Sequence, residues 1–263
     1  MMSGSSPAKG EGPFFDLSSG SISKPRVGVS ACLMGEPVRY DGADKYNATV
    51  AERLAESFDL RPLCPEADAG LGVPRPAVRL VRVEGRLRAL GVDEGGLDVT
   101  VDLERFSSKI IARLDVAGFI LKSRSPSCGK IDTAIHDMDG RVIGQGSGLF
   151  VHALRHAFPF LPLEDERVLE NEGAREGFVD RVYLYAAWRH LVAAASDRAI
   201  MGTWSPHEYL HACHAHHARR LMKRAPDVGE RLARIVEQAD RAGLKASLQG
   251  YAEVIREVLV EHV

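Results

Sequence analysis

Cysteine is scarce in this chain: four thiols, Cys32, Cys64, Cys128 and Cys213, in 263 residues. A protein of this length held by disulfides would need many more, so a cross-linked scaffold is excluded. No Cys-x-x-Cys pair occurs, which excludes a zinc ribbon built on that spacing. Long apolar runs are missing too, and none approaches a membrane span. The first segment, Met1 to about Lys24, is rich in Gly, Ser and Pro and has no continuous apolar stretch. It reads as a disordered leader (1–24) rather than a secretory signal, and the expected compartment is a reducing cytoplasm. Net charge is nearly absent, at −2. Any attraction to nucleic acid must then come from a local patch.

What remains is a soluble globular composition, 45% hydrophobic and 27% charged. Three short apolar runs stand out as core strands. Arg26 to Ala31 ends at Cys32, and Phe58 to Leu63 ends at Cys64. Ala117 to Leu121 runs into the loop Ser123-Arg124-Ser125-Pro126-Ser127-Cys128-Gly129-Lys130. Between them, apolar spacing predicts helices over Tyr46 to Ser57 and Asp98 to Leu114. Hairpins are expected at Ala77 to Leu90, turning at Glu84-Gly85, and around Asp139-Gly140. Gly144-Gln145-Gly146 then leads into a helix through about Phe158, where close packing explains the glycines better than anion binding does. Strands alternating with helices predict an α/β domain over 25–160, Rossmann-like, with a parallel sheet in three layers. From about Pro162 the periodicity is helical, so 161–263 reads as a separate all-α domain.

Parallel strands present their carboxyl ends along one edge, where ligands of open α/β sheets bind. Three cysteines, each following a strand, can therefore converge. Three thiolates without an obvious fourth suit zinc with an open position, or a [4Fe-4S] cluster with one iron not bound by protein. A soft, open iron favours a sulfur-bearing substrate. The plain alternative is that the thiols are buried small hydrophobes. Glu66, two residues after Cys64, is placed as an acid or base, or else as a surface carboxylate. Ser125 is placed as a hydrogen-bond donor or proton relay, or as a loop hydroxyl capping its own backbone. Cys213, within a helix of the other domain, is simpler as packing. His214 and His217 share a helix face, but no carboxylate or thiol completes a metal set. A structural or sensory metal module is the non-enzymatic rival.

The motifs Ser30-Ala31-Cys32-Leu33, Val38-Arg39-Tyr40-Asp41-Gly42, Cys64-Pro65-Glu66, Gly70-Leu71-Gly72-Val73-Pro74-Arg75-Pro76 and Ser125-Pro126-Ser127-Cys128-Gly129 occur in order. Together they resemble the thiouracil desulfidase family over about Arg26 to Phe160. The resemblance implies a [4Fe-4S] cluster held by Cys32, Cys64 and Cys128, and hydrolytic removal of a thiocarbonyl sulfur without net redox. It aligns the catalytic Glu and Ser with Glu66 and Ser125. Arg39, Asp41 and Arg75 become candidate substrate contacts, with loop-bracing as the alternative for all three and the simpler reading for Asp41 beside Gly42. The second half is similar, in shortened form, to the helical domain fused to desulfidases that convert 4-thiouridine in tRNA to uridine. His214-Ala215-His216-His217, Leu221-Met222 and Leu248-Gln249-Gly250-Tyr251 carry that likeness, while Cys213 and Ala218 depart from it. Arg219, Arg220, Lys223 and Arg224 form a local basic cluster, a candidate phosphate track beside a nucleobase-modifying domain. The partners implied are tRNA or a small thiolated pyrimidine, and no membrane.

Overall fold

The structure is a computed structural model that describes residues 15–16, 21–22, 24–93, 96–195, 205–211, 214 and 226–260. The chain divides into two compact units, one of Arg26–Val179 and one of Met1–Pro25 with Asp180–Val263. Two-residue strands, β1 (Phe15–Asp16) and β2 (Ser21–Ile22), pair antiparallel in the second of these.

The α/β unit is built on β3 (Arg26–Ser30), β4 (Asp59–Leu63), β7 (Phe119–Leu121) and β10 (Leu163–Asp165). They form one sheet in the order β10-β7-β3-β4, every pair parallel. A chain that steps from β3 to β4 on one side and then crosses to β7 on the other creates a crevice beyond the strand ends, where doubly wound sheets bind ligands. The strands are apolar where they are central: Val27, Val29, Phe119, Ile120 and Leu121 are fully buried. Pairing continues Ser30 opposite Leu63, Val29 opposite Ile120, and Asp165 opposite Leu121. The four strands therefore end nearly level.

Both expected hairpins form: β5 (Val78–Val83) with β6 (Arg86–Gly91), and β8 (Thr133–His136) with β9 (Val142–Gly146). Their turns take Gly85 and Gly140 at φ 78° and 82°, a conformation that glycine adopts without steric cost. A parallel pairing of β5 with β8, Leu80 opposite Ile135, joins the two into one mixed sheet, β6-β5-β8-β9. Its core of Leu80, Ala89 and Ile135 is closed by Val99 and Leu103 on and just before helix α1 (Thr100–Ile111). Helix α2 (Leu149–Ala157) buries Phe150, Val151 and Leu154. The predicted helix at Tyr46 to Ser57 is present as a π-helical turn, Thr49–Arg53, followed by a 3-10 turn, Leu54–Glu56.

The boundary expected near residue 160 differs from the observed sheet, which takes its edge strand from Leu163–Asp165. Acidic residues hid that strand: Glu164, Asp165 and Glu166 are all buried. Each is satisfied locally. Lys130 Nζ donates to Glu164 at 2.7 Å, and the Arg167 and Val168 amides donate to Asp165. Glu166 is held by Lys122 and Ser123.

Helix α3 (Glu172–Ala194) comes next, and then α4 (Pro226–Glu237), a short turn Ala239–Ala242, and α5 (Leu244–Val260). In the helical unit, buried His190 meets the Tyr209 hydroxyl at 2.8 Å, and His214 Nδ1 meets that of Tyr251 at 2.9 Å. Burial pushes both imidazoles below their ordinary pKa. His214 is thus paired with a phenol, in keeping with packing. Cys213, His217, Arg219, Arg220, Lys223 and Arg224 lie outside the described residues. No helix of the described residues is long and apolar enough to cross a membrane.

Candidate metal centre

Because the strands end level, the residues just beyond them share one rim. Cys64 comes directly after β4, Cys32 two residues after β3, and Lys122-Ser123 directly after β7. Glu166 comes directly after β10. Cys32, Cys64 and Cys128 all line one cavity of about 630 Å³, together with Ser30, Glu66, Arg75, Lys122 and Ser125. Cys32 and Cys128 are buried and Cys64 is half-buried. Burial pushes the Cys32 thiol up to about 11, and the neighbouring Cys64 adds to the shift. Burial also raises Cys64, and it raises Cys128 well above its ordinary value, against a lowering hydrogen bond from Ser30. Three thiols close enough to disfavour one another's ionisation share a site that favours their charge only when a cation arrives.

The Cys128 loop is fixed by the backbone. Ser125 Oγ accepts the amide N–H groups of Ser127 and Cys128 at 3.2 and 3.0 Å, closing the loop on itself. The first turn of α2 takes the loop carbonyls: Leu149 N–H donates to Pro126 O, and Phe150 N–H to Ser127 O. That approach requires Gly148, where a Cβ would lie 2.4 Å from the Ser127 backbone. Gly129 is equally tight, since a Cβ there would lie 1.8 Å from Thr133 Oγ1. Orphan N–H groups at a helix start and orphan carbonyls in a loop satisfy each other.

Glu66 is buried, and each of its oxygens is engaged. Oε2 accepts from Arg75 Nε and Nη2 at 3.0 and 2.9 Å, and Oε1 accepts from Ser127 Oγ at 2.9 Å. Arg75 uses Nη1 on the carbonyls of Val38 and Gly72, so four of its five N–H donors are committed. Its side chain is 4% exposed. Arg75 therefore ties together the two loops that come after Cys32 and Cys64. Asp41 accepts the Ala43 amide across the turn at Gly42 and pairs with Arg39. The Ala43 bond, aided by Arg39, holds its carboxyl below the ordinary value. Arg39 also lies over the Tyr40 ring at 5.5 Å.

Sequence reasoning chose Ser125 but passed over Ser127, the hydroxyl that touches Glu66. It also passed over Glu166, which accepts Lys122 Nζ at 2.5 Å, Ser123 Oγ at 2.7 Å and Ser123 N–H at 2.8 Å. Ser127 adjoins Cys128, and that adjacency was the available signal. Glu166, 43 residues from Ser123, gave none.

The donor set suits a soft metal group: three thiols around one cavity. Among the described residues, no three His, Cys, Asp or Glu side chains gather closely enough to hold a single ion. Three thiols are the number and type of donor that can hold a [4Fe-4S] cluster and leave one iron unbound by protein.

Three thiols thus line one cavity at the carboxyl rim of a parallel sheet, the edge where open α/β sheets bind ligands. The chain is a member of the 2-thiouracil desulfurase family, whose family model matches residues 27–166. It is also similar to a solved structure, the [4Fe-4S]-dependent thiouracil desulfidase TudS. Identity is 31% over 56% of this chain and 94% of that one, with a TM-score of 0.43. No curated protein matches the chain.

Proposed function

We propose that the protein is a [4Fe-4S]-dependent desulfidase that converts 4-thiouridine in tRNA to uridine. The observation that carries the reading is the meeting of Cys32, Cys64 and Cys128 on one cavity, beside a buried Glu66 held by Arg75 and Ser127. Cys32, Cys64 and Cys128 would hold the cluster. When bound, it would supply a soft Lewis acid with affinity for a thione sulfur.

The chain's own groups do the rest. A carboxylate fixed by three hydrogen bonds is an acceptor, and Glu66 takes a proton from the water that attacks C4. Arg75 and Ser127 keep its oxygens in place through that step. Ser125, whose lone pairs hold the Cys128 loop, retains its own O–H to donate toward the pyrimidine. Oxygen from water replaces sulfur on carbon and sulfur departs as sulfide, so no electrons are gained or lost overall. The tRNA substrate is supported by the helical unit and by the basic run Arg219, Arg220, Lys223 and Arg224, whose charge suits phosphates.

A second reading, desulfuration of free thiouracil or a thionucleoside, is favoured by the size of the cavity. About 630 Å³ falls in the range of small-ligand sites. Anaerobic single-turnover assays on thiolated tRNA and on free 4-thiouridine separate the two. Uridine formed in tRNA supports the first, and reaction of the nucleoside alone removes tRNA as substrate. In the same assay, Glu66→Ala with unchanged cluster content is expected to lose roughly 10²–10⁴-fold in rate. Full turnover would take Glu66 out of the mechanism.

A further inference from the structure

Five of the chain's ten histidines fall between residues 207 and 217, and the desulfidase reading uses none of them. The helix that carries the first of them is set in phase by its own start, Ser205-Pro206-His207-Glu208. Ser205 Oγ accepts the Glu208 N–H at 3.2 Å, and Glu208 Oε2 accepts the Ser205 N–H and hydroxyl at 3.4 and 2.8 Å. This is a reciprocal cap, with Pro206 at the first helical position, where a missing N–H costs nothing. Residues 206–211 are helical. Tyr209 and Leu210 are fully buried, and His190 holds the Tyr209 hydroxyl. With that face turned inward, His207 and His211, four residues apart, are neighbours on the outer side. His207 is half-buried and His211 exposed.

The two rings lie 28° from parallel with centroids 5.7 Å apart. A tetrahedral ion bound at about 2.1 Å through one nitrogen of each ring would hold those centroids roughly 5 Å apart. Small side-chain rotations close the difference. No ring nitrogen of His207 or His211 meets a described partner, whereas His190 and His214 each spend one on a tyrosine hydroxyl. A second observation comes from another segment of the same unit. Asp240 Oδ1 accepts the His207 N–H at 3.1 Å, and its other oxygen meets no described donor. A carboxylate is thereby fixed beside the pair, where its charge favours a cation.

We propose that His207 and His211 chelate one divalent transition-metal ion of the zinc or nickel kind, with Asp240 supplying nearby negative charge and water filling the remaining positions. Imidazole suits that class of ion, whereas magnesium and calcium take oxygen ligands. The bound ion closes a ring across one helical turn and staples it. The site shares no residue with the thiol cavity and does not depend on the desulfidase reading.

The test is anaerobic calorimetric titration of tag-free, full-length, cluster-loaded protein with Ni²⁺, with iron content read before and after so that loss of the cluster is not counted as binding. Wild type should take up one Ni²⁺ per chain near neutral pH and bind it at least about tenfold more weakly below about pH 6, where imidazoles are protonated. His207→Ala, His211→Ala and the bulkier His211→Gln should each weaken binding at least about tenfold, which is about 1.4 kcal/mol. His216→Ala and His217→Ala should leave it unchanged, and Mg²⁺ should not bind. Ni²⁺ should raise the melting temperature of wild type but not of His211→Gln. Without metal, His211→Gln should melt with wild type, so that its loss of binding is not a loss of fold. The proposal is overturned if wild type takes up no stoichiometric Ni²⁺, if the substitutions at 207 and 211 bind as wild type does, or if those at 216 and 217 weaken binding as much. It is equally overturned if Mg²⁺ binds as tightly.

Discussion

Arg75 and Glu66 show how single residues shape this site. Both side chains are nearly out of solvent, at 4% and 11% exposure, so neither charge has water to fall back on. Removing one partner of a buried pair leaves the other uncompensated, which is costlier than never having built the pair. Arg75→Ala should therefore lower unfolding stability by about 3–5 kcal/mol in chemical denaturation. A loss within a few tenths would mean that Glu66 does not depend on its clamp. Glu166 makes a parallel case in acid. Burial alone would raise its carboxyl, but Lys122 and Ser123 outweigh it and hold the group below its ordinary 4.5. A folded value lower than the unfolded one contributes stability above about pH 4.5, and that contribution is lost as pH falls through the folded value. Thermal melts of Glu166→Gln should accordingly show a shallower decline than wild type below pH 4.5. Identical slopes would remove this link.

Among the elements, the contact between α2 and the Cys128 loop is the tightest constraint on the site. Gly148→Ala would set a methyl group 2.4 Å from the Ser127 backbone. Backbone cannot swing away like a side-chain tip, so a cost of about 1–3 kcal/mol is expected in a denaturant midpoint shift. Cluster content should fall with it, because Cys128 rides on the displaced segment. Local features of this kind were legible in the chain. Glu84-Gly85 and Asp139-Gly140 announce their turns by composition alone, and the apolar runs before Cys32, Cys64 and Cys128 announce their strands. Pairings between distant segments were not legible. The union of β5 with β8 depends on Leu80 finding Ile135, and the Glu66 clamp depends on Ser127, 61 residues away. The last strand was masked for a different reason. Its acids are buried only because Lys130, Lys122 and nearby amides meet them, and composition reports the acids without the partners.

For the molecule as a whole, the α/β unit alone contributes the described rim, and its thiols come from three separate strand ends rather than from one contiguous motif. Such a site exists only when the entire sheet is folded, since nothing in a short peptide brings Cys32, Cys64 and Cys128 together. The raised thiol values point the same way: the folded protein without its metal holds these groups as neutral SH, and loading must release their protons. The most direct measurement is anaerobic reconstitution with iron and sulfide, followed by metal and acid-labile sulfide analysis, of wild type and of Cys32→Ser, Cys64→Ser, Cys128→Ser and Cys213→Ser. The predicted result is about four irons and four sulfides per chain in wild type and Cys213→Ser, with the cluster lost or degraded in each of the other three. Zinc in place of iron, or a full cluster in Cys64→Ser, would contradict the account.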